Sequence, residues 1–296
     1  MQIGIDLGGT KTEAIALAAD SVVAGRRRVS TPREYGGTLD AIVRLVGELE
    51  SETGRSGTVG VGIPGVVTRA TGLVKNANST WLNGRPLKED LTRILGRGVR
   101  LANDANCFAL SEATDGAGAG CHTVFGAIVG TGTGGGIVVA GEVLTGPNAV
   151  AGEWGHNPLP WPDASEWPGP ACYCGRTGCI ETFLSGPGLM RAHAQDTGVT
   201  LTPETIVQRA LDGEAAARAS LERYAHRMAR ALASVINLLD PDVVVLGGGM
   251  SNIESLYEMV PELWKPYVFS DAVATPVLRA VHGDASGVRG AAWLWS

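Results

Sequence analysis

The sequence predicts an α/β protein built from two related lobes. Three observations carry this reading: an opening strand–glycine turn–strand unit, a second such unit from Thr123 onward, and short apolar strands alternating with helical stretches. Gln2–Leu7 is apolar and extended, Gly8-Gly9-Thr10 turns, and Thr12–Leu17 returns with alternating apolar positions. A third strand is expected near Ser21–Val29. Leu39–Leu49 has apolar residues at 39, 42, 43, 45, 46 and 49, a helical spacing. Thr58–Ile63 reads as a short strand ending at Pro64-Gly65, followed by a helix over about Leu87–Leu95 and a strand over Gly98–Leu101. Asp104 stands where it would cap a helix running to about Thr114.

At Thr123 the pattern starts again. Val124–Val129 is a strand, Gly130–Gly136 a glycine-rich turn and Ile137–Ala140 the returning strand, so the architecture repeats although the residues barely do. Ala151 to Thr182 reads as loop, rich in Trp, Pro, Gly and Cys. Beyond it come a long helix (Ala215–Leu239), a strand (Val243–Leu246) ending in Gly247-Gly248-Gly249, and a helix over Ile253–Trp264. A last strand, Pro276–Ala280, precedes a C-terminal helix from about Ser286.

With 296 residues, 44% hydrophobic and 18% charged, the chain has the length of about two domains. Its net charge is −6 and no basic run exceeds the triplet Arg26–Arg28, which argues against nucleic acid as a partner. The N-terminus MQIGIDLGGTK has no signal-peptide pattern and no stretch approaches 18 uninterrupted apolar residues, so a soluble, cytoplasmic protein with no membrane partner is expected. Five cysteines, three of them crowded between Cys172 and Cys179, suit a metal site in a reducing compartment better than a disulfide framework. The 42 glycines cluster in short loops, a distribution that suggests close backbone approach to a ligand.

Five motifs are candidates for chemistry. In Asp6-Leu7-Gly8-Gly9-Thr10-Lys11 a glycine turn between strands leaves backbone N–H groups free to converge on phosphate oxygens, and Asp6 could hold a magnesium ion through water. An ordinary hairpin turn explains the same residues. Gly130-Thr131-Gly132-Thr133-Gly134-Gly135-Gly136 would be its partner, two such loops clasping a triphosphate. Gly248 and Gly249, after an apolar strand, could pass under an adenine ring, or simply turn the chain. Asn103-Asp104-Ala105-Asn106 offers Asp104 as the carboxylate that accepts a sugar hydroxyl's proton, or as a helix cap. His156, Cys172, Cys174 and Cys179 would make a closed tetrahedral zinc set, structural because all four positions are protein ligands, or the three cysteines are free or redox-active. Glu153 and Glu181 lie near those ligands, where they could receive sugar hydroxyls or be plain surface carboxylates, while Asn76 and Asn78 near Trp81 suit a polyhydroxy ligand or simply an Asn-rich loop. Trp81 and Trp161 are candidate pocket walls.

These motifs in this order, DLGGTK, GIPG, LANDAN, GTGTGGG, GEWGH, CYCGRTGCIE, DPDVVVLGGGMSN and HGDASGVRGAA, resemble the ROK family of sugar kinases and repressors from residue 2 to about residue 295. The similarity looks closest to bacterial fructokinases, which also phosphorylate mannose, through VKNANSTWLNG, AGEWGHNPLPW and VRGAAWLW; N-acetylglucosamine kinases and glucokinases of the family are the alternative. The resemblance implies a two-lobed, actin-like (ribonuclease H-like) fold with a structural zinc loop. A smaller lobe would span 1–117 plus 286–296, a larger one 118–285, and the family suggests a homodimer.

It further implies that ATP and Mg²⁺ are held by Gly4, Ile5, Asp6, Leu7, Gly8, Gly9, Thr10 and Lys11, by Gly132, Thr133, Gly134, Gly135, Gly136, Ile137, Val138, Val139 and Ala140, and by Gly248 and Gly249. Asp104 matches the catalytic base. Gly65, Asn78, Asn103, Glu153, His156 and Glu181 would join it around the sugar, with His156, Cys172, Cys174 and Cys179 on Zn²⁺. The expected reaction is transfer of the γ-phosphoryl group of ATP to the 6-hydroxyl of a hexose, fructose first. A sugar-responsive repressor of the same family would need a DNA-binding segment ahead of the hairpin, which starts here at residue 2. An actin-like structural or chaperone ATPase would use the phosphate loops without the sugar-facing residues.

Overall fold

In the computed structural model, which describes residues 1–19 and 21–296, the chain opens with β1 (Gln2–Leu7), β2 (Lys11–Leu17) and β3 (Val23–Ser30). Helix α1 (Tyr35–Thr53) follows, then β4 (Thr58–Ile63), the short pair β5 (Val66–Val67) and β6 (Val74–Lys75), α2 (Leu87–Leu95), β7 (Val99–Asn103) and α3 (Asp104–Asp115). Next come β8 (Thr123–Val129), β9 (Thr133–Val139), β10 (Glu142–Val143), α4 (Ile180–Leu184), α5 (Gly186–Thr197), α6 (Pro203–Leu211) and α7 (Ala215–Leu239). The chain closes with β11 (Val243–Gly247), α8 (Leu256–Trp264), β12 (Val277–Arg279) and α9 (Ser286–Trp293).

Two five-stranded sheets result. The first has the order β3-β2-β1-β4-β7, the second β10-β9-β8-β11-β12. In each, the third, second and first strands of the half are followed by its two later parallel ones, so the repeat suspected from the glycine turns extends through the whole sheet. In the first sheet β1 runs antiparallel to β2 and parallel to β4, with Leu7 opposite Thr12 and Asp6 opposite Gly62. That register carries Asp6 and Asn103 to the same ends of their strands, through Ile63 paired with Asn103.

The chain divides into two units: Met1–Gly120 with Gly136–Ala151 and Val281–Ser296, and Cys121–Gly135 with Gly152–Ala280. In the first, Ile3, Ile5, Ala14 and Ala16 are buried with Leu39, Ile42, Leu45, Val46 and Leu49 of α1, which is the apolar stripe read from the sequence. Glu34 caps α1 by accepting from the N–H groups of Gly36 and Gly37. Ile15 and Leu17 pack with Val288 and Ala292 of α9. There α9 lies almost on backbone: a Cβ on Gly60 would sit 1.9 Å from the Ala291 carbonyl oxygen, and one on Gly290 1.6 Å from that of Cys107. No larger residue fits either place.

In the second unit the buried Glu166 receives Arg227 Nε at 2.7 Å and Arg230 at 2.8 Å, which straps the loop before the cysteines onto α7. The sequence reading had no element between Thr182 and Ala215. Three helices stand there, two of them begun by side-chain caps with Pro in the first turn: Ser185 accepts from Gly188 N–H and Thr202 from Thr205 N–H. A second difference concerns the glycine-rich turn. Strand β9 begins at Thr133 and not at Ile137, so Gly134, Gly135 and Gly136 are strand residues. Among the described residues no helix is long and apolar enough to cross a membrane.

Candidate functional site

In the first unit the β1–β2 turn is closed by Gly8 N–H donating to the Lys11 carbonyl at 3.0 Å, and Thr31 pins it from the side, its hydroxyl donating to the Gly8 carbonyl and its N–H to that of Thr10. Gly9, Thr10 and Lys11 are exposed, whereas Ile5 and Leu7 are core residues and Gly4 lies under α9. Of the stretch expected to meet a nucleotide, therefore, only the tip faces outward. The buried hydroxyl of Ser79 faces this tip and finds no partner among the described residues.

At the end of β7 the sequence expectation needs a correction. The cap of α3 is Asn103, whose side chain accepts from Ala105 N–H at 2.9 Å; Asp104 is the first helical residue and is exposed. Asp104 also accepts from Ala105 N–H, at 2.8 Å. Two adjacent capping-type residues offered two registers, and the chain took the one that leaves the aspartate facing outward. Asn103 Nδ2 reaches the Gly65 carbonyl at 3.4 Å, and Asn78 N–H donates to the Pro64 carbonyl at 3.2 Å. Gly65, Asn78, Asn103 and Asp104 are thus assembled from three separate segments. Trp81, expected as a pocket wall, instead packs against the core and donates its indole N–H to Thr38.

Asp6 is the electrostatic centre of this group. Its carboxyl pKa is pushed up to about 6, first by burial and then by the like charges of Asp104 and Glu13. The same two aspartates, after burial, drive the Cys107 thiol upward. An anion held this way is relieved by a cation, the demand a metal-bearing ligand would meet.

The second unit holds the cysteine cluster. A tetrahedral zinc shell, with Zn–S about 2.3 Å and Zn–N about 2.0–2.1 Å, spaces its donor atoms roughly 3.5–3.8 Å apart. Cys172 Sγ lies 3.6 Å from His156 Nδ1 and Cys174 Sγ 3.6 Å from Cys179 Sγ, and all four donor atoms fall within 4.8 Å of one another. Burial first, and then the neighbouring Cys174 and Cys172, push the Cys179 thiol up to about 12, so its thiolate requires a neighbouring cation. The residues fit zinc. With Nδ1 turned to the cysteines, His156 Nε2 meets the Tyr173 hydroxyl at 2.9 Å, and the two rings meet edge to face. Tyr173 was not anticipated; nothing in the sequence marks the residue between two cysteines as the orienting partner of a histidine 17 positions away.

Glu181 stands in the first turn of α4, two residues after Cys179, and accepts Thr133 N–H at 2.9 Å, so the cysteine knuckle reaches the glycine turn directly. Trp154, beside the exposed Glu153, donates its indole N–H to the Gly134 carbonyl and meets Phe125 edge-on. A Cβ on Gly155 would lie 2.0 Å from the Thr133 carbonyl oxygen, and one on Gly135 3.0 Å from the Trp154 ring. Gly135 therefore serves packing, as does Gly136, pressed on Ala105 of α3; the turn proper is Gly130–Gly132. Gly130 lies next to Gly249 and accepts Gly186 N–H at 2.7 Å, which brings Gly132, Gly248 and Gly249 into one neighbourhood. Ile137, Val138 and Val139 continue along β9, Val138 buried. The buried Thr133 hydroxyl is left without a partner among the described residues. Trp161, the other expected wall, lies against Tyr267, and its carbonyl accepts from Arg230 at 2.5 Å.

Two expectations follow from these contacts. Because the folded protein raises the Asp6 pKa above the ordinary 3.8, the protonated form is favoured and stability falls as pH rises through about 4 to 6. Asp6→Asn should therefore be more stable than wild type at pH 7.5, by about 1–3 kcal/mol, with the gap closing toward pH 4; urea midpoints at the two pH values measure it, and equal gaps would refute it. Tyr173→Phe should lose zinc to a chelator at about 10-fold lower chelator concentration than wild type, since the histidine loses its orienting bond. Unchanged zinc retention would show the contact to be incidental.

Comparison with known proteins fits this geometry. The sequence profile of the ROK family matches residues 2–296. An N-acetyl-D-glucosamine kinase from Photobacterium profundum is 42% identical over 99% of both chains, and one from Pectobacterium carotovorum 40% identical over 99% of this chain and 98% of its own. The crystal structure of the ROK hexokinase from Thermus thermophilus superposes with a TM-score of 0.88 at 32% identity, covering 99% of this chain and 96% of that one. A ROK family glucokinase from Streptomyces griseus, solved with glucose and AMPPNP, gives 0.78 at 29% identity, covering 99% and 98%. These relatives favour the N-acetylglucosamine alternative and lend no support to fructose; the stretches behind the fructose expectation, VKNANSTWLNG, AGEWGHNPLPW and VRGAAWLW, do not identify the sugar's distinguishing substituent. With the profile covering the chain and the paired five-stranded sheets matching those structures, this chain belongs to the ROK family, as a sugar kinase on the two-sheet actin-like ATPase fold.

Proposed function

We propose that the protein transfers the γ-phosphoryl group of ATP to the 6-hydroxyl of N-acetyl-D-glucosamine. The observation that carries the choice of sugar is the 42% identity, over nearly the whole of both chains, to an N-acetyl-D-glucosamine kinase. Asp104 is the general base: Asn103 holds the helix cap and the aspartate faces outward on the first turn of α3. As the sugar oxygen bonds to the γ-phosphorus and the bond to the β-phosphate oxygen breaks, Asp104 takes the hydroxyl proton and ADP leaves.

The other residues position and screen. The exposed hairpin tip at Gly9, Thr10 and Lys11 and the Gly130–Gly132 turn offer N–H groups to the phosphates, joined by the nearby hydroxyls of Ser79 and Thr133, which have no partner among the described residues. Gly248 and Gly249 serve the nucleotide's base. Mg²⁺, when bound, neutralises charge developing between the β- and γ-phosphates, and Asp6 is the carboxylate that would hold it, through water. Asn78, Asn103 and the Gly65 backbone contact the sugar, as do Glu153, His156 and Glu181, which the zinc knuckle holds in place. Such a reaction needs little covalent chemistry from the protein; alignment supplies most of the rate.

A coupled ADP assay comparing N-acetylglucosamine, glucose, mannose and fructose tests the sugar. The highest kcat/KM is expected for N-acetylglucosamine; a higher value for any of the other three refutes the choice while leaving the kinase intact. Asp104→Asn should lower kcat by about 10²–10⁴-fold while both substrates still bind. Turnover near that of wild type would remove Asp104 from the mechanism.

A further inference from the structure

A cavity of about 280 Å³ in the second unit takes no part in the reaction described above. Gly188, Arg191, Ala192 and Gln195 line it at helical spacing, so one face of α5 forms a wall. Ser165, Trp167, Phe183 and Arg227 line it as well. The volume lies just below the roughly 300–1,000 Å³ of pockets for drug-sized ligands, which suits a single phosphorylated sugar and not a nucleotide.

Its charge is unbalanced. Three guanidiniums, those of Arg191, Arg227 and Arg230, gather near two carboxylates. Glu166 is shared between Arg227 and Arg230. Asp163 is engaged by the N–H and hydroxyl of Ser165 and the N–H of Glu166. Arg191 donates to the Thr182 carbonyl and has no carboxylate partner among the described residues. Burial and the neighbouring Arg227 both act against its charge, lowering its pKa. Arg227 lies over the Phe183 ring at 4.9 Å, which fixes its guanidinium in place. A surplus cation lining a concave wall, next to a second cation held in place, is the arrangement that a phosphate satisfies.

The cavity is also joined to the zinc knuckle. A Cβ on Gly169 would lie 2.6 Å from Gly178 Cα, and Gly178 N–H donates to the Pro170 carbonyl at 2.9 Å. Thr182, which lines the cavity, follows Glu181 in the chain.

We propose that this cavity is a phosphomonoester-binding site, in which Arg191 and Arg227 hold the phosphate while Gln195 and Ser165 meet the hydroxyls of a small phosphorylated sugar. The site is separate from the residues assigned to catalysis, and the proposal does not depend on which hexose is phosphorylated.

Isothermal titration of the full-length, zinc-loaded protein tests it. The sugar substrate and a non-hydrolysable ATP analogue are kept saturating, so that the catalytic positions are filled. Inorganic phosphate and a hexose 6-phosphate are titrated separately. Saturable binding is expected in at least one titration, weakened about 10-fold or more by Arg191→Gln and by Gln195→Glu, with zinc content and turnover unchanged. Tighter binding of the sugar phosphate identifies it as the occupant, and equal or tighter binding of phosphate identifies the free ion. Gln195→Glu brings a negative charge to an exposed position and leaves the Arg191–Thr182 bond intact, so the test survives if Arg191→Gln perturbs the fold. Absence of saturable binding in both titrations, or binding indifferent to both substitutions, overturns the proposal.

Discussion

The hydrogen bond from Thr133 N–H to Glu181 is the contact on which the second unit's chemistry turns. It joins two things that have no sequence relation: the start of a glycine-lined strand and a carboxylate placed by a cysteine knuckle. Glu181 can stand there only because Cys179, two residues earlier, is fixed with Cys172, Cys174 and His156. The approach is close enough that a Cβ on Gly132 would lie 2.8 Å from the Glu181 carboxylate. The cysteine knuckle is thus the mount for a strand edge, and a metal held there would act on residues that never touch it.

In the first unit the electrostatic cost falls on Asp6, whose carboxyl pKa is raised first by burial and then by the like charges of Asp104 and Glu13. Such a concentration of like charge makes sense where a cation is part of the working state, because the strain is then relieved on binding. Each unit therefore contributes a different kind of preparation: fixed geometry in one, stored electrostatic tension in the other.

Much of this was legible in the sequence, for reasons that differ residue by residue. The β1–β2 hairpin announced itself through alternation around Gly8-Gly9, and the metal set through ligand chemistry at close spacing. Glycine was the ambiguous signal: Gly135 and Gly136 look like turn residues but serve close approach by Trp154 and α3, and a single sequence does not separate the two uses. The cap of α3 was misread by one residue because Asn103 and Asp104 are both capping types, and only the three-dimensional register decides between them. Helix α4 was missed because it has only five residues, whereas α5 and α6 were passed over although their Ser and Thr caps with following prolines were visible. Tyr173 and the arginine-lined cavity depend on contacts between distant segments, so no local pattern could have disclosed them. The preferred sugar was not legible, because selectivity rests on pocket shape.

The packing of α9 has a consequence for biosynthesis. Residues 286–293 supply part of the interior beneath β1 and β4, where Gly4 and Gly60 admit main chain against main chain. The first 120 residues leave the ribosome long before the segment that seals them. Until translation reaches that segment, Ile15 and Leu17 have no helix to cover them, and the nascent half-barrier to water is exposed to chaperones and to other chains. A polypeptide interrupted late in synthesis would be left unfinished at its beginning.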